Sequence, residues 1–244
     1  MHIHLGTWSR DELDRILLDA SLIQDPGLCI EYIAQQFLDL PYKESSLIGD
    51  DHTEEVLVID FSGVDCFTFI DYIEAMRMSE SFEAFPEHLT RIRYRSGQIS
   101  FKKRNHFFTD WSVYNADFIE DATESVGKEQ VGRIRKMLND KEDGTCWIPG
   151  IPVAERTIFY IPGRAIDHSV INRLKTGDYV GMYSELPGLD VSHVGIIVRH
   201  DDRVFLRHAS SDKDNMRVID QDFMQYIKGK PGLIVLRPIK VIID

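Results

Sequence analysis

Leu13, Ile16, Leu17 and Ala20 recur at helical spacing behind Ser9, Asp11 and Glu12, which predicts an amphipathic helix opening on a hydroxyl cap and an acidic first turn. A second helix is predicted from Asp25-Pro26, a cap followed by proline in the first helical position. It runs through Leu28, Ile30, Ile33, Ala34 and Phe37 to near Leu40, where Pro41 stops it. The apolar run Val56-Leu-Val-Ile59 predicts a strand or extended segment, punctuated by Ser62-Gly63. Directly afterwards Phe69, Ile70, Ile73 and Met76 form another helical stripe that starts at Cys66, with Asp65 available as its cap. The thiol of Cys66 is therefore expected in the first turn of a helix.

The middle of the chain is less periodic. Arg91-Ile-Arg-Tyr94, Ser96-Gly97 and Ile99-Ser-Phe101 suggest a hairpin, and Arg104 to Trp111 follows no single period and reads as an active-site wall. Lys128 to Asn139 predicts a helix, Glu142-Asp-Gly144 breaks it, and Pro149, Pro152 and Pro162 keep the next stretch extended. Beyond Leu174-Lys-Thr-Gly-Asp178 the pattern changes to strands over Tyr179 to Tyr183, Val191 to Arg199, Val204 to Ala209 and Leu233 to Arg237. A short helix is predicted over Gln221 to Ile227. Helices first and antiparallel strands afterwards imply an α+β class, with helices packed on one sheet. No internal repeat interrupts it, and 1–244 reads as one domain.

Composition acts chiefly by exclusion. A chain of 244 residues with 43% hydrophobic residues can bury one large core. Its 28 basic and 40 acidic residues give a net charge of −12, which repels a phosphate backbone, so no nucleic-acid partner is expected. Three scattered cysteines, Cys29, Cys66 and Cys146, form neither a disulfide framework nor a thiolate zinc site. No metal or other cofactor is expected, and the chain is expected to be a monomer. The longest apolar runs, such as Val194 to Val198, fall far short of the roughly 18 residues that span a bilayer. Met1 to Ser9 lacks the features of a secretory leader. Either the protein is cytoplasmic, or a leader has been removed and it works in the periplasm or cell envelope.

Reactivity concentrates on Cys66. A thiol attacks a carbonyl as its thiolate, and the first turn of a helix offers unpaired N–H groups and a positive dipole end. His193, early in the strand Ser192-His-Val-Gly-Ile-Ile-Val198, is the leading base, since an imidazole can take the thiol proton and return it to a leaving amine. A tight turn at His200-Asp201 would set His208 directly opposite His193 on the same sheet face, where it could orient the first ring. Cys29 and Cys146 have no obvious base and read as inert.

Val64-Asp-Cys-Phe-Thr-Phe69, Leu174-Lys-Thr-Gly-Asp178, Ser192-His-Val-Gly-Ile196 and Leu206-Arg-His-Ala-Ser210 resemble the successive signatures of NlpC-type papain-like cell-wall hydrolases, in the same Cys, His, His order. Leu40-Pro-Tyr42 resembles the segment before their catalytic helix, whose tyrosine borders the substrate. Cys66 and His193 lie farther apart than in compact members, so the resemblance implies a large insertion, about 80–165, forming an active-site wall. Tyr94, Gly97 and Arg104 to Trp111 within it resemble the N-acetylmuramoyl-L-alanine amidase-like subgroup.

The resemblance implies a papain-like core that cleaves the amide between N-acetylmuramic acid, in ordinary or 1,6-anhydro form, and L-alanine of peptidoglycan fragments. The implied catalytic set is Cys66, His193 and His208. Tyr42, Asp65, Asn105, His106, Asp110, Trp111 and Ser192 are the expected substrate contacts; the polar side chains and the face of Trp111 suit a sugar and a peptide. Three alternatives stay open. The same fold could act as a γ-D-glutamyl endopeptidase or another thiol acyl transferase. His106, Asp110, His193 and His208 could hold a hydrolytic metal, or the cleft could bind cell wall without turnover.

Overall fold

The computed structural model describes residues 1–240. Strand β1 (His2–His4) leads into α1 (Arg10–Ser21), which opens on a complete capping box: Glu12 N–H donates to Ser9 Oγ while Ser9 N–H donates to the Glu12 carboxylate. Asp25 accepts the Leu28 N–H and starts α2 (Pro26–Gln35). Strand β2 (Val58–Asp60) pairs in parallel with β1, a ribbon no local pattern announced, and α3 (Cys66–Arg77) follows.

Two expectations for the middle are corrected. The 91–101 hairpin does not form. Phe85, Leu89 and Ile92, buried at spacings of four and three, drive a helix, α4 (Phe85–Arg93), with Pro86 in its first turn. Ser96 and Gly97 then adopt positive φ, and Tyr94 meets Arg104 in an isolated antiparallel bridge. Helix α5 (Phe108–Tyr114), strand β3 (Ile119–Asp121) and helix α6 (Thr123–Gly127) follow.

The helix over Lys128 to Asn139 is also absent. A 3-10 turn gives way to strand β4 (Gly132–Leu138), in which Ile134, Lys136 and Leu138 turn inward and Arg133, Arg135 and Met137 outward. That two-residue alternation prevails because β4 finds a full-length partner in β5 (Ala154–Pro162), from Gly132↔Tyr160 to Leu138↔Ala154. Helix α7 (His168–Arg173) precedes the anticipated strands β6 (Tyr179–Tyr183), β7 (Val191–His200) and β8 (Arg203–Ser210). Strand β9 (Arg217–Asp222), helix α8 (Phe223–Ile227) and strand β10 (Gly232–Pro238) complete the described chain.

The main sheet runs β4-β5-β10-β6-β7-β8-β9, antiparallel at every pairing, with β3 also against β10. Alternate residues bury on opposite faces. Tyr179, Val194, Ile196 and Ile234 join the core under α1 to α4, while Val180, Met182, Ile197 and Leu233 join a second core under α6, α7 and α8. The Leu174 to Asp178 motif serves the scaffold. Asp178 takes two hydrogen bonds from Arg237 on β10, and Gly177, at φ +86°, lies so close to α2 that a Cβ would sit 2.3 Å from Gly27 Cα.

Candidate active site

Asp65 caps α3 by accepting the N–H groups of Phe67 (2.9 Å) and Thr68 (2.7 Å), and Thr68 Oγ1 takes the Asp65 N–H in return. Cys66 is thus the first helical residue, as the sequence pattern implied. Residues before β2 and after β8 close around it: Tyr42 bridges to Val64, donates its N–H to Met216 O, and its neighbour Lys43 donates to Val64 O. The Tyr42 hydroxyl lies near Ser211, the Cys66 sulfur and the Asp65 carboxylate.

The histidines meet, by a route slightly different from the expected one. The β7–β8 ladder runs from Ile196↔Arg207 to His200↔Arg203, so the turn is one residue later, and by this register His208 falls opposite Gly195. A shift of two residues preserves the face, and His193 Nε2 lies 2.7 Å from His208 Nδ1 across the diagonal. Gly195 makes room for this contact, since a Cβ there would sit 3.0 Å from His208 Cβ and 2.7 Å from Leu206 Cδ1. Beyond Ile196 the two strands no longer pair. Helix α3 packs against both, and the Val194 N–H reaches the Cys66 sulfur. A bulge at Ser192, where Met182 faces His193 but Tyr183 faces Val191, leaves Ser192 exposed beside the site.

Two further members were missed from sequence. His208 Nε2 lies 3.2 Å from Gln221 Oε1 on β9, and the Tyr226 ring of α8 stands 5.2 Å from His208 and 6.1 Å from His193. Only the β8–β9 register, Leu206↔Gln221, brings Gln221 within reach. With His208 Nε2–H donating to that oxygen, its Nδ1 accepts from His193 Nε2–H, which leaves His193 Nδ1 as a lone pair.

Burial dominates the electrostatics. It pushes the Cys66 thiol up to about 12, aided by the Asp65 carboxylate and opposed by the N–H groups of Val194, Cys66 and Phe67. The same desolvation lowers His193 to about 3, with His208 and Lys230 adding to it, and His208 to about 4 against the bond from Gln221. Tyr42 and Tyr226 both rise to about 12, through burial first and the nearby sulfur second. Thiol and imidazole therefore rest as a neutral pair.

The other expected contacts lie elsewhere in the fold's bonding. Trp111 is 0% exposed, stacks on Phe108, and donates Nε1–H to Asp71, so its face is closed to a sugar. Asp110 is held between Arg95 and Arg156, and Asn105 Nδ2 donates to Ile92 O, each with 3% exposure. His106 Nε2 bonds Phe101 O. Trp111, Asp110 and His106 bond to neighbours within the fold, whereas Asn105 Oδ1 is buried without a partner. Asn105, Asp110 and Trp111 are thus turned into the fold, at 3% exposure or less. Asp65 is engaged as the helix cap. Among the described residues no group of three His, Cys, Asp or Glu lies close enough to hold a metal, and no helix is long and apolar enough to cross a membrane.

The family described as AmiA-like, N-acetylmuramoyl-L-alanine amidase-like, matches residues 32–233. Among solved structures, an N-acetylmuramoyl-L-alanine amidase from Bacteroides uniformis ATCC 8492 is 25% identical with a TM-score of 0.72, covering 93% of this chain and 99% of that one. A Legionella pneumophila protein, 19% identical with a TM-score of 0.77 and 94% of each chain covered, is alike in fold. A Bacteroides fragilis protein provisionally named a xylanase is 28% identical, with a TM-score of 0.66 over 84% of this chain and 98% of that one. No curated protein matches.

Proposed function

The chain belongs to the AmiA-like, N-acetylmuramoyl-L-alanine amidase-like family, and from that premise we propose that it is a cell-wall amidohydrolase with Cys66 as nucleophile, His193 as base and then acid, and His208 orienting His193. The observation that carries this reading is a helix beginning at Cys66 and packed against the two strands on which His193 Nε2 lies 2.7 Å from His208 Nδ1. The arrangement is that of NlpC-type papain-like enzymes, with the 80–165 segment as the insertion. The substrate is a peptidoglycan fragment, and the place of action is the cell envelope.

Because the resting pair is neutral, proton transfer accompanies attack. His193 Nδ1 takes the thiol proton as sulfur bonds to the lactyl carbonyl carbon, and the oxyanion develops near the Cys66 N–H on the open first turn of α3. His193 then gives the proton to the alanine nitrogen, the C–N bond breaks, and a thioester remains. Water, deprotonated by the same imidazole, hydrolyses it and regenerates the thiol. His208 holds Nε2–H and so fixes which nitrogen acts. Tyr42 and Ser192 border the substrate.

Glycosidic cleavage would require two facing carboxyl groups. The carboxylate beside Cys66 is engaged as a helix cap, and the neighbouring groups are thiol, imidazole, phenol and amide, a set that favours acyl transfer. Defined muropeptides analysed by mass spectrometry test the proposal. Release of a muramyl sugar and an intact peptide is expected, whereas scission inside the peptide would make the enzyme a γ-D-glutamyl endopeptidase and a cut between sugars would reject acyl transfer.

A further inference from the structure

The turn between β6 and β7, which delivers His193, is held by the inserted ribbon with unusual firmness. Lys136 on β4 is 8% exposed, and its ammonium donates to three carbonyls of that turn, Ser184 (2.5 Å), Leu186 (2.8 Å) and Leu189 (3.0 Å). A buried cation satisfied by carbonyl dipoles fixes all three peptide planes at once. Gly188, at φ +71°, presses on the Asp140 backbone so closely that a Cβ would lie 2.4 Å from Asp140 O, and its own carbonyl accepts the Asn139 N–H at 2.8 Å. Asn139 in turn ties down the β4–β5 connection, donating Nδ2–H to Ile148 O and Ile151 O and accepting the Ile148 N–H.

This rigid frame presents apolar side chains to solvent. Trp147 is 37% exposed, and its orientation is set by Nε1–H donating to Pro187 O at 2.8 Å; Leu186, one residue before, is 53% exposed. Lys141 Nζ stands 4.6 Å from the Trp147 ring centroid. An ordered, hydrogen-bonded indole, 37% exposed with Leu186 near it, offers a fixed apolar face to a ligand. The frame also points the right way. Met182 pairs with His193, and Ser184 N–H bonds Asp190 O, so the turn projects past His193 at the end of the sheet where α3 begins. Pro187 lies five residues beyond Met182, the strand partner of His193.

We propose that Trp147, with Leu186 beside it, is the platform on which the sugar side of the substrate stacks, making the inserted ribbon the specificity-determining wall of the site. The inference rests on the muropeptide reading above. The apolar C–H face of a pyranose suits an indole, and the turn that holds this ring leads on from the strand partner of His193.

The test uses the full chain carrying Cys66→Ala, titrated calorimetrically with N-acetylmuramyl-L-alanyl-D-isoglutamine and with the same dipeptide bearing a lactyl group but no sugar. Adding Trp147→Ala is expected to weaken the muramyl ligand about tenfold and leave the sugar-free ligand unchanged, while Trp147→Phe keeps most of the affinity. Should Trp147→Ala not fold, Leu186→Ser on the exposed turn carries the same selective loss. Equal losses for both ligands, or none, would overturn the platform while leaving the amidase reading intact. A Cys66→Ala parent that binds neither ligand overturns the substrate reading, and the platform with it.

Discussion

Two polar clusters, one at the start of α3 and one along residues 93–115, are rich in groups able to do chemistry and dispose of them in opposite ways. In the second, Asp71 is shared by Arg93 and Trp111, Asp110 by Arg95 and Arg156, and Asn105 and Asn115 both donate to Ile92 O. Both carboxylates are held twice over, while Arg93 Nη2, Arg95 Nε, Asn105 Oδ1, Asn115 Oδ1 and Arg156 Nε stay buried without a partner. At α3 the sulfur meets backbone N–H groups alone among the donors that influence it, and His193 is bonded through one ring nitrogen. Residue type alone does not separate the two clusters. The difference is charge pairing: the carboxylates of the second cluster are locked to guanidinium groups and stabilise the fold, whereas neither the Cys66 sulfur nor the His193 ring has an oppositely charged partner.

The sharpest way to break this comparison is to exchange effects between the clusters. Cys66→Ala should lower turnover of a muramyl-L-alanyl peptide by at least about 10⁴-fold with the melting temperature nearly unchanged; retained turnover would remove Cys66 from the chemistry. Arg93→Met should do the reverse. It strands the Asp71 carboxylate in the core, at a cost of about 3–5 kcal/mol in urea unfolding, while kcat per folded molecule stays near wild type. A stable Arg93→Met protein without activity would show that the two clusters are one.

His208→Ala is expected to reduce kcat about 10²-fold with a smaller change in KM, because His193 survives but loses the partner that fixes its tautomer. Gln221→Ala should follow in the same direction and more weakly, and an unchanged rate for both would dissolve the relay. The last test is pH. His193, His208 and His106 titrate near 3, 4 and 4 in the fold, all through burial first, against about 6.5 when unfolded. The unfolded chain therefore takes up protons first, so stability is complete above about 6.5 and declines as pH falls toward 4. Denaturant midpoints at pH 7 and 5 should show this, with a shallower slope for His208→Gln. Iodoacetamide labelling of Cys66 should keep accelerating from pH 7 to 10, since burial raises the thiol; a plateau below pH 7 would instead indicate a preformed thiolate and imidazolium.

Legibility followed the range of the forces involved. The caps at Ser9, Asp25 and Asp65 were readable because a side chain and the N–H groups it accepts lie within three residues of each other. The Phe85, Leu89 and Ile92 stripe was equally local and was overlooked in favour of a hairpin. Strand β4 was not decidable from its own window, because Gly132 to Leu138 takes its period from β5, across the Asp140 to Val153 connection. Trp111 suggested a sugar platform, yet burial against Phe108 and Tyr179 closed its face, and the exposed indole of the insertion is Trp147.

What the chain determined by itself was the sulfur at a helix start and two histidines on a common sheet face, since capping and strand alternation depend on near neighbours and survive a register shift of two. What only the tertiary structure decided was which partner each polar group finds. That depends on partners such as Gln221, Tyr226, Asp71 and Arg156 arriving from distant segments, and on burial, which turns an expected ion pair into a neutral one because a charge loses more hydration there than nearby dipoles return.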